Sequence, residues 1–450
     1  MAPIDPNSTT FTPPDLYELP SSRPQPLLPL RPPPLCIYPP VLPSPPRKSL
    51  LDATFALSTH LVPAAWPRTT PEVPLLELPT WTPDKDAFRA AVRKTTTTLM
   101  QTTEEHWKGE LDALPRNERP MWSCVNRYVR KGLKEANGVT LFCAHANGFS
   151  KELWEPALLH LVSRYSSIAK YAVDEIWSFE AANHGDSCLI NEPALGGIFN
   201  WKDNSRDILH FLKYYLPAVP DAGTLPTHLL RLDATVAHAR REHGILERRL
   251  VFMGHSFGGC SVVRAALAEP ALFKTLLLVD PILSSMGPRM SSEGIADLVL
   301  GAVARRDGWS SREEAHRQFA AVPFFQAWDP AALDVYVECA LYDAPDGQVR
   351  LKMPGGLEAA NFAERFTACE TFELLPQLDP RIETRFVIAG KLEPQAAEQR
   401  RRAVWRRTEN TSHIRILSSG HLIPQEKPGE LAAELHGLLM RRDGSQKARL

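Results

Sequence analysis

Nowhere in the sequence do about 18 apolar residues run together, so no membrane-spanning helix is expected. The start, Met1-Ala2-Pro3-Ile4-Asp5-Pro6, lacks the basic region and apolar core of a signal peptide, and secretion is not expected. A charge excess of one sign is also missing: 51 Lys and Arg stand against 52 Asp and Glu, for a net charge of −1. No stretch interleaves Lys or Arg with aromatic residues, so nucleic acid is excluded as an expected partner. Cysteine is scarce and odd in number. The seven, at positions 36, 124, 143, 188, 260, 339 and 369, are scattered and form no CxxC pair, which argues against a disulfide framework or a zinc site. They are expected to be reduced thiols, and neither a metal nor an organic cofactor is expected. No repeat recurs at a fixed period. What the chain does have is length and hydrocarbon: 450 residues, 44% of them hydrophobic, enough for a large core with additions.

Sixteen of the 41 prolines fall in the first 50 residues, so positions 1–50 are expected to form an extended, largely disordered leader without helix or central strand. From Thr54 the pattern changes. Thr54 to Val62 and Pro74 to Trp81 read as an opening pair of strands, and Asp84 to about Leu114 as a charged amphipathic helix within an insertion at about 84–137. Short apolar runs then alternate with helical ones. The runs are Val139–Ala144, Glu175–Glu180, Arg249–Met253 and Thr275–Asp280; the helices are expected near 154–165, 204–215, 227–242 and 257–268. Apolar strands separated by helices imply an α/β architecture, a mostly parallel sheet with helices on both faces. Residues 284–366 break the rhythm with helical, Trp- and Arg-containing segments and read as an inserted helical lid. The sheet domain, begun over 51–283, resumes over 367–440 with strands at Thr384–Ala389 and His413–Leu417, and 441–450 form a flexible tail.

The run ending at Met253 leads into Gly254-His255-Ser256-Phe257-Gly258-Gly259 and then a helix, which is G-x-S-x-G in its strand-turn-helix context. Small residues are needed there because the strained turn brings strand and helix backbones close, while the serine oxygen must project above the sheet. Ser256 is the expected nucleophile. A serine hydroxyl is too weakly acidic to attack unaided, so a histidine must accept its proton, and in this context it follows the serine in the chain. Four histidines do so: His316, His413, His421 and His436. His421, in the loop Ser418-Ser419-Gly420-His421-Leu422-Ile423-Pro424 after a strand, is the expected base. Two acids compete to orient it. Asp280 ends the strand 24 residues beyond the serine, and Glu393 follows the next strand in Gly390-Lys391-Leu392-Glu393-Pro394. Asp280 is favoured because it sits directly at a strand end, with Glu393 as the alternative. Acyl transfer also requires two donors at the developing oxyanion. These are expected from the N–H of Phe257 and that of Asn147, in the loop His145-Ala146-Asn147-Gly148-Phe149, where Gly148 permits the turn and His145 braces it. The loop at Asn183-His184-Gly185 is expected on the same edge, with His184 structural.

Ser256 in its turn, the stretch His145-Ala146-Asn147-Gly148-Phe149-Ser150-Lys151-Glu152-Leu153-Trp154-Glu155-Pro156, Val279-Asp280-Pro281 and Gly420-His421-Leu422-Ile423-Pro424 together resemble the α/β-hydrolase superfamily. More narrowly, they are similar to fungal peroxisomal hydrolases of toxin and mycophenolic acid biosynthesis. The resemblance covers roughly residues 54–435 apart from the insertion. It implies an α/β-hydrolase fold, an acid at the Asp280 position, and hydrolysis of acyl-CoA thioesters or carboxylic esters. The leader, the insertion and Glu393 depart from it. An acyltransferase using the same acyl-enzyme, a lipase or esterase, and a non-catalytic ligand-binding protein on the same fold are the alternatives. Arg289, Arg305, Arg306, Arg312 and Arg317 in the lid suit CoA phosphates and a solvated helix face equally. The last residues, Ala448-Arg449-Leu450, match the small-basic-leucine pattern of a peroxisomal address. The peroxisomal matrix is therefore the expected location and the import receptor an expected partner.

Overall fold

Eleven strands order the chain among the residues that the computed structural model describes, which are 4–14, 23–34, 36, 38–165, 167–287 and 292–447. They are β1 (Phe55–Pro63), β2 (Trp122–Arg130), β3 (Val139–Ala144), β4 (Val173–Phe179), β5 (Arg249–His255), β6 (Thr275–Val279), β7 (Gly308–Trp309), β8 (Leu341–Asp343), β9 (Val349–Leu351), β10 (Glu383–Ala389) and β11 (Thr411–Ile416). Eight form one sheet in the order β1-β2-β4-β3-β5-β6-β10-β11. β2 runs antiparallel to both β1 and β4, and the other neighbours are parallel.

Successive side chains of a strand point to opposite faces, and here both faces are dry. Phe142, Phe252, Leu276, Leu278, Phe386 and Ile388 point to one side, under the helices Trp201–Tyr214 and Phe257–Ala268. Leu141, Cys143, Val251, Met253, Leu277, Val279 and Val387 point to the other, under Glu155–Tyr165 and Pro428–Lys447. The register pairs Ala144 with Gly254, His255 with Val279, and Val279 with Val387, so the parallel strands end together. The loops that follow them share one edge, where α/β sheets place their ligands. The segment between β6 and β10 stands over this edge. It contains several helices, and it also holds the three-stranded sheet β7-β9-β8, which the helical expectation for 284–366 did not include. Its apolar cluster of Trp309, Phe319, Trp328 and Tyr336 includes Leu153 and Leu422, and Phe149 packs against it.

Three expectations need correction. Pro74 to Trp81 is not a strand: its prolines cannot donate to a ladder, and β1 pairs with β2 instead. The expected helical insertion at 84–137 is only partly helix, over Lys85–Lys108; β2 occupies its second half as an integral strand. The alternation of β2 is hidden because Asn126 and Arg127 are buried with partners, Glu152 (2.8 Å) and Glu175 (2.6 Å). The described parts of the leader, expected to be largely disordered, pack against the core. Phe11, 3% exposed, lies in the core between His413 and Arg415, and Trp405 donates to its carbonyl. A Pro-rich chain has few N–H donors, but its carbonyls accept. Arg415 donates to Asp5 and Ser8, Arg206 to Leu28 and Pro29, and Arg264 to Gln25.

Candidate active site

At the end of β5 the backbone turns sharply at Ser256, with φ 55° and ψ −117°, a conformation that costs about 1–3 kcal/mol for a residue with a Cβ. The surroundings hold it there: Ser256 N–H donates to Val279 O (3.0 Å), and Ser256 O accepts from Cys260 N–H (3.1 Å) and Ile282 N–H (3.2 Å). The helix Phe257–Ala268 starts immediately and crosses close over the end of β3. A Cβ on Gly258 would lie 2.4 Å from the carbonyl oxygens of both Ala144 and His145. That approach places the 145–149 loop beside the first turn of the helix, where N–H groups have no intrahelical acceptor.

The structure brings Ser256, His421 and Asp280 together from three strand ends. Ser256 Oγ lies 2.9 Å from His421 Nε2, and His421 Nδ1 lies 2.5 Å from Asp280 Oδ2. The serine is 6% exposed, the histidine side chain 34% and the aspartate fully buried. Asp280 has φ 37° and ties β6 to β10 through its N–H to Val387 O (2.8 Å). Burial pushes its carboxyl up, but the Arg400 guanidinium and the hydrogen bond from His421 outweigh this and hold it well below the usual carboxylate range. Glu393, the alternative acid, stands exposed at the start of the helix Pro394–Trp405, and no described contact joins it to His421. Of the other histidines after Ser256, His316 faces Asp334, His413 accepts from Phe11 N–H, and His436 pairs with Tyr171.

Three histidines lock the surrounding loops. His145 Nε2 accepts from Ala181 N–H (3.1 Å) while its Nδ1 bonds Ala146 O (2.8 Å). His184 stacks on Phe257, with ring centroids 5.7 Å apart, and its Nε2 accepts the N–H of Gly148 (3.1 Å). His255 donates through Nε2 to the carbonyl of His421 (2.9 Å). Burial lowers all three: His145 to about 4, His255 to about 3 and His184 well below the ordinary value, so each is a neutral strut at physiological pH. The N–H of Gly148, expected with Asn147 and Phe257 in the oxyanion and substrate-binding set, is thus engaged by His184. The φ of Gly148 is 79°, and a Cβ there would meet Glu358 Oε1 at 2.4 Å. The N–H groups of Asn147 and Phe257 have no acceptor among the described residues, and both belong to segments flanking Ser256.

Sequence reasoning missed Arg400, His255 and Glu358. Arg400 sits in the run Arg400-Arg401-Arg402, and nothing in that run marks which arginine turns inward. Among the lid arginines, Arg305 meets Glu358 beside the Gly148 turn, Arg306 bonds Gly308 O and Glu314, and Arg312 bonds the carbonyls of Val337 and Leu341. Arg289 and Ala448-Arg449-Leu450 lie outside the described residues. Among those described, no group of three His, Cys, Asp or Glu side chains is arranged for a metal, and no helix is long and apolar enough to cross a membrane.

Known proteins resemble this chain in sequence and in fold. The chain is 29% identical over 217 residues to a type I acyl-CoA thioesterase of Penicillium brevicompactum, covering 48% of this chain and 43% of that one. It is 30% identical over 149 residues to a peroxisomal membrane protein of Saccharomyces cerevisiae, covering 33% and 32%. The matches span less than half the length of these relatives. A solved peroxisomal alpha-beta-hydrolase from Saccharomyces cerevisiae superposes with a TM-score of 0.59 at 19% identity, over 86% of this chain and 89% of that one, and shares the fold. The alpha/beta hydrolase family model matches residues 141–434, which hold every parallel strand of the large sheet except the first two residues of β3, together with the Ser256 turn, Asp280 and His421. The chain belongs to the alpha/beta hydrolase family.

Proposed function

We propose that the protein is a serine hydrolase that cleaves an acyl-CoA thioester or a carboxylic ester through an acyl-enzyme on Ser256. The observation that carries this reading is the continuous hydrogen-bond chain from Ser256 Oγ through His421 to Asp280, on a strained turn next to two N–H groups without acceptors among the described residues. In this reading His421 Nε2 takes the Ser256 proton as Oγ attacks the acyl carbon. Negative charge moves to the carbonyl oxygen, where the N–H groups of Phe257 and Asn147 stabilise it. Asp280 keeps the proton on Nδ1 and stabilises the imidazolium. Collapse expels the thiol or alcohol with the proton from Nε2. Water, deprotonated by the same nitrogen, then releases the carboxylic acid and free Ser256.

The thioesterase relative supports an acyl-CoA substrate, and the segment between β6 and β10 serves as the lid. The tripeptide Ala448-Arg449-Leu450 and the peroxisomal relatives support import into the peroxisome. Ser256→Ala is expected to abolish fluorophosphonate labelling and lower thiol release from acyl-CoAs by several orders of magnitude. Asp280→Asn is expected to cost about 10⁴-fold in kcat, and Glu393→Gln less than about twofold. Labelling that persists in Ser256→Ala rejects the serine mechanism. Wild type that binds acyl-CoA but neither turns over nor labels favours a binding protein.

A further inference from the structure

The buried acid at the end of β6 has a second partner besides His421. Arg400, itself almost completely buried, grips Asp280 with a fork: Nε to Oδ1 at 3.0 Å and Nη2 to Oδ2 at 3.1 Å. The same Oδ2 accepts from His421 Nδ1, and Oδ1 also accepts from Ala389 N–H at 3.4 Å. Four donors thus converge on one fully buried carboxylate. Arg401 and Arg402, the next two residues of the helix, both turn to Glu398, and the only acid that Arg400 meets among the described residues is Asp280.

We propose that Arg400 is a positioning residue for the reaction: it fixes the rotamer of Asp280 and offsets part of its charge, thereby setting the pH at which His421 stops serving as a base. The proposal rests on the Ser256–His421–Asp280 reading given above. Asp280 facing His421 alone would present a full buried negative charge, which favours the protonated imidazole and removes the base at higher pH. A guanidinium on the far side of the carboxylate cuts that attraction while keeping the carboxylate ionised and pointed, because a bidentate pair fixes orientation as well as charge. The other groups facing this loop do not supply the effect. His255, from the end of β5, has its ring 5.2 Å from that of His421 and is neutral. Glu426, from the short helix Ile423–Glu426, is engaged by Gly420 N–H (2.6 Å) and the Ser419 hydroxyl, and Glu430 by the Ser418 hydroxyl. Arg415 of β11 points to the leader and to Gly390 O.

The test is the pH dependence of kcat/KM on the full chain, with kcat counted per fluorophosphonate-titratable site so that misfolded molecules do not enter. In Arg400→Gln the acid limb is expected to move up by about one pH unit, with kcat falling about tenfold and KM unchanged. Arg400→Lys retains the charge but not the fork, so its limb is expected to stay within about 0.3 unit of wild type while kcat still falls at least about fivefold. A limb that does not move in Arg400→Gln, or a full kcat in Arg400→Lys, overturns the proposal. Should Arg400→Gln not fold, Arg400→Lys decides alone, by loss or retention of kcat at constant KM. Wild type that fails to label at Ser256 overturns the hydrolase reading and this proposal with it; wild type that labels, with variants that behave like it, overturns this proposal alone.

Discussion

Along Leu250–Met253 of β5, Leu276–Val279 of β6 and Phe386–Ala389 of β10 the side chains on both faces are apolar, whereas at β2 and β4 Arg127, Asp174 and Glu175 sit in equally dry surroundings. The same sheet is thus buried at one end by transfer of apolar surface and at the other by compensation of charge. Glu175 accepts from Arg127 (2.6 Å), Arg248 and Trp177 Nε1 (2.7 Å), all buried. Nearby, Lys151 is surrounded by Glu152 (3.0 Å), Glu180 (3.3 Å) and Asp186 (2.8 Å), and Lys352 completes the group on Asp186 (2.6 Å). Methyl groups tolerate a wide choice of neighbours, while a buried ion needs its own counter-ion at hydrogen-bond distance. The apolar end is therefore robust to substitution of similar volume, and the charged end fails when one member of a pair is removed.

The sharpest way to break this contrast is Glu175→Gln. It leaves Arg127 and Arg248 without their counter-charge, and the expected loss is about 3–5 kcal/mol by denaturant unfolding. A loss below about 1 kcal/mol shows that the guanidiniums are held by the backbone carbonyls of Gly223 and Pro217, which they also bond, and not by the carboxylate. Next in size is Phe11→Ala, which asks whether the leader belongs to the apolar core. About 3 kcal/mol is expected, from lost burial and from the exposed faces of His413 and Arg415. Stability equal to wild type makes the leader dispensable.

The smallest effect concerns a third way of burying a carboxyl, by keeping its proton. Glu364 accepts from Thr367 N–H (3.0 Å) and its hydroxyl (3.1 Å), and burial raises it from 4.5 to about 7. The folded protein thus holds this proton over a range in which the unfolded chain has released it. This contribution to stability is complete below pH 4.5 and disappears as pH rises towards 7. Glu364→Gln mimics the protonated form. It is expected to be near wild type at pH 5 and up to about 2 kcal/mol more stable at pH 8, read as a rise in Tm. A variant whose stability falls equally at both pH values shows that the ionised form is the one the fold holds.

The legibility of the chain follows the same division. Runs such as Thr275-Leu276-Leu277-Leu278-Val279 announce strands with two covered faces, and Gly254-His255-Ser256-Phe257-Gly258 announces a turn that only small residues allow. Strand β2 was not legible, because its polar residues imitate an exposed face until their partners, from distant parts of the chain, are known. The contacts of the leader are not legible for a related reason: proline composition reports the lack of donors but not the arginines that come to meet its carbonyls.

By itself, then, the sequence determined the parallel sheet, the Ser256 turn, and the short set of residues from which a base and an acid are expected, since each of these depends on neighbours along the chain. It left Asp280 and Glu393 both open. The tertiary structure brings Asp280, and not Glu393, to His421: the aligned ends of β6, β10 and β11 leave Asp280 2.5 Å from His421 while Glu393 faces solvent. It also decided that one arginine of three closes on that aspartate. Distances across the sheet are set by packing between segments more than a hundred residues apart, and no local pattern encodes them.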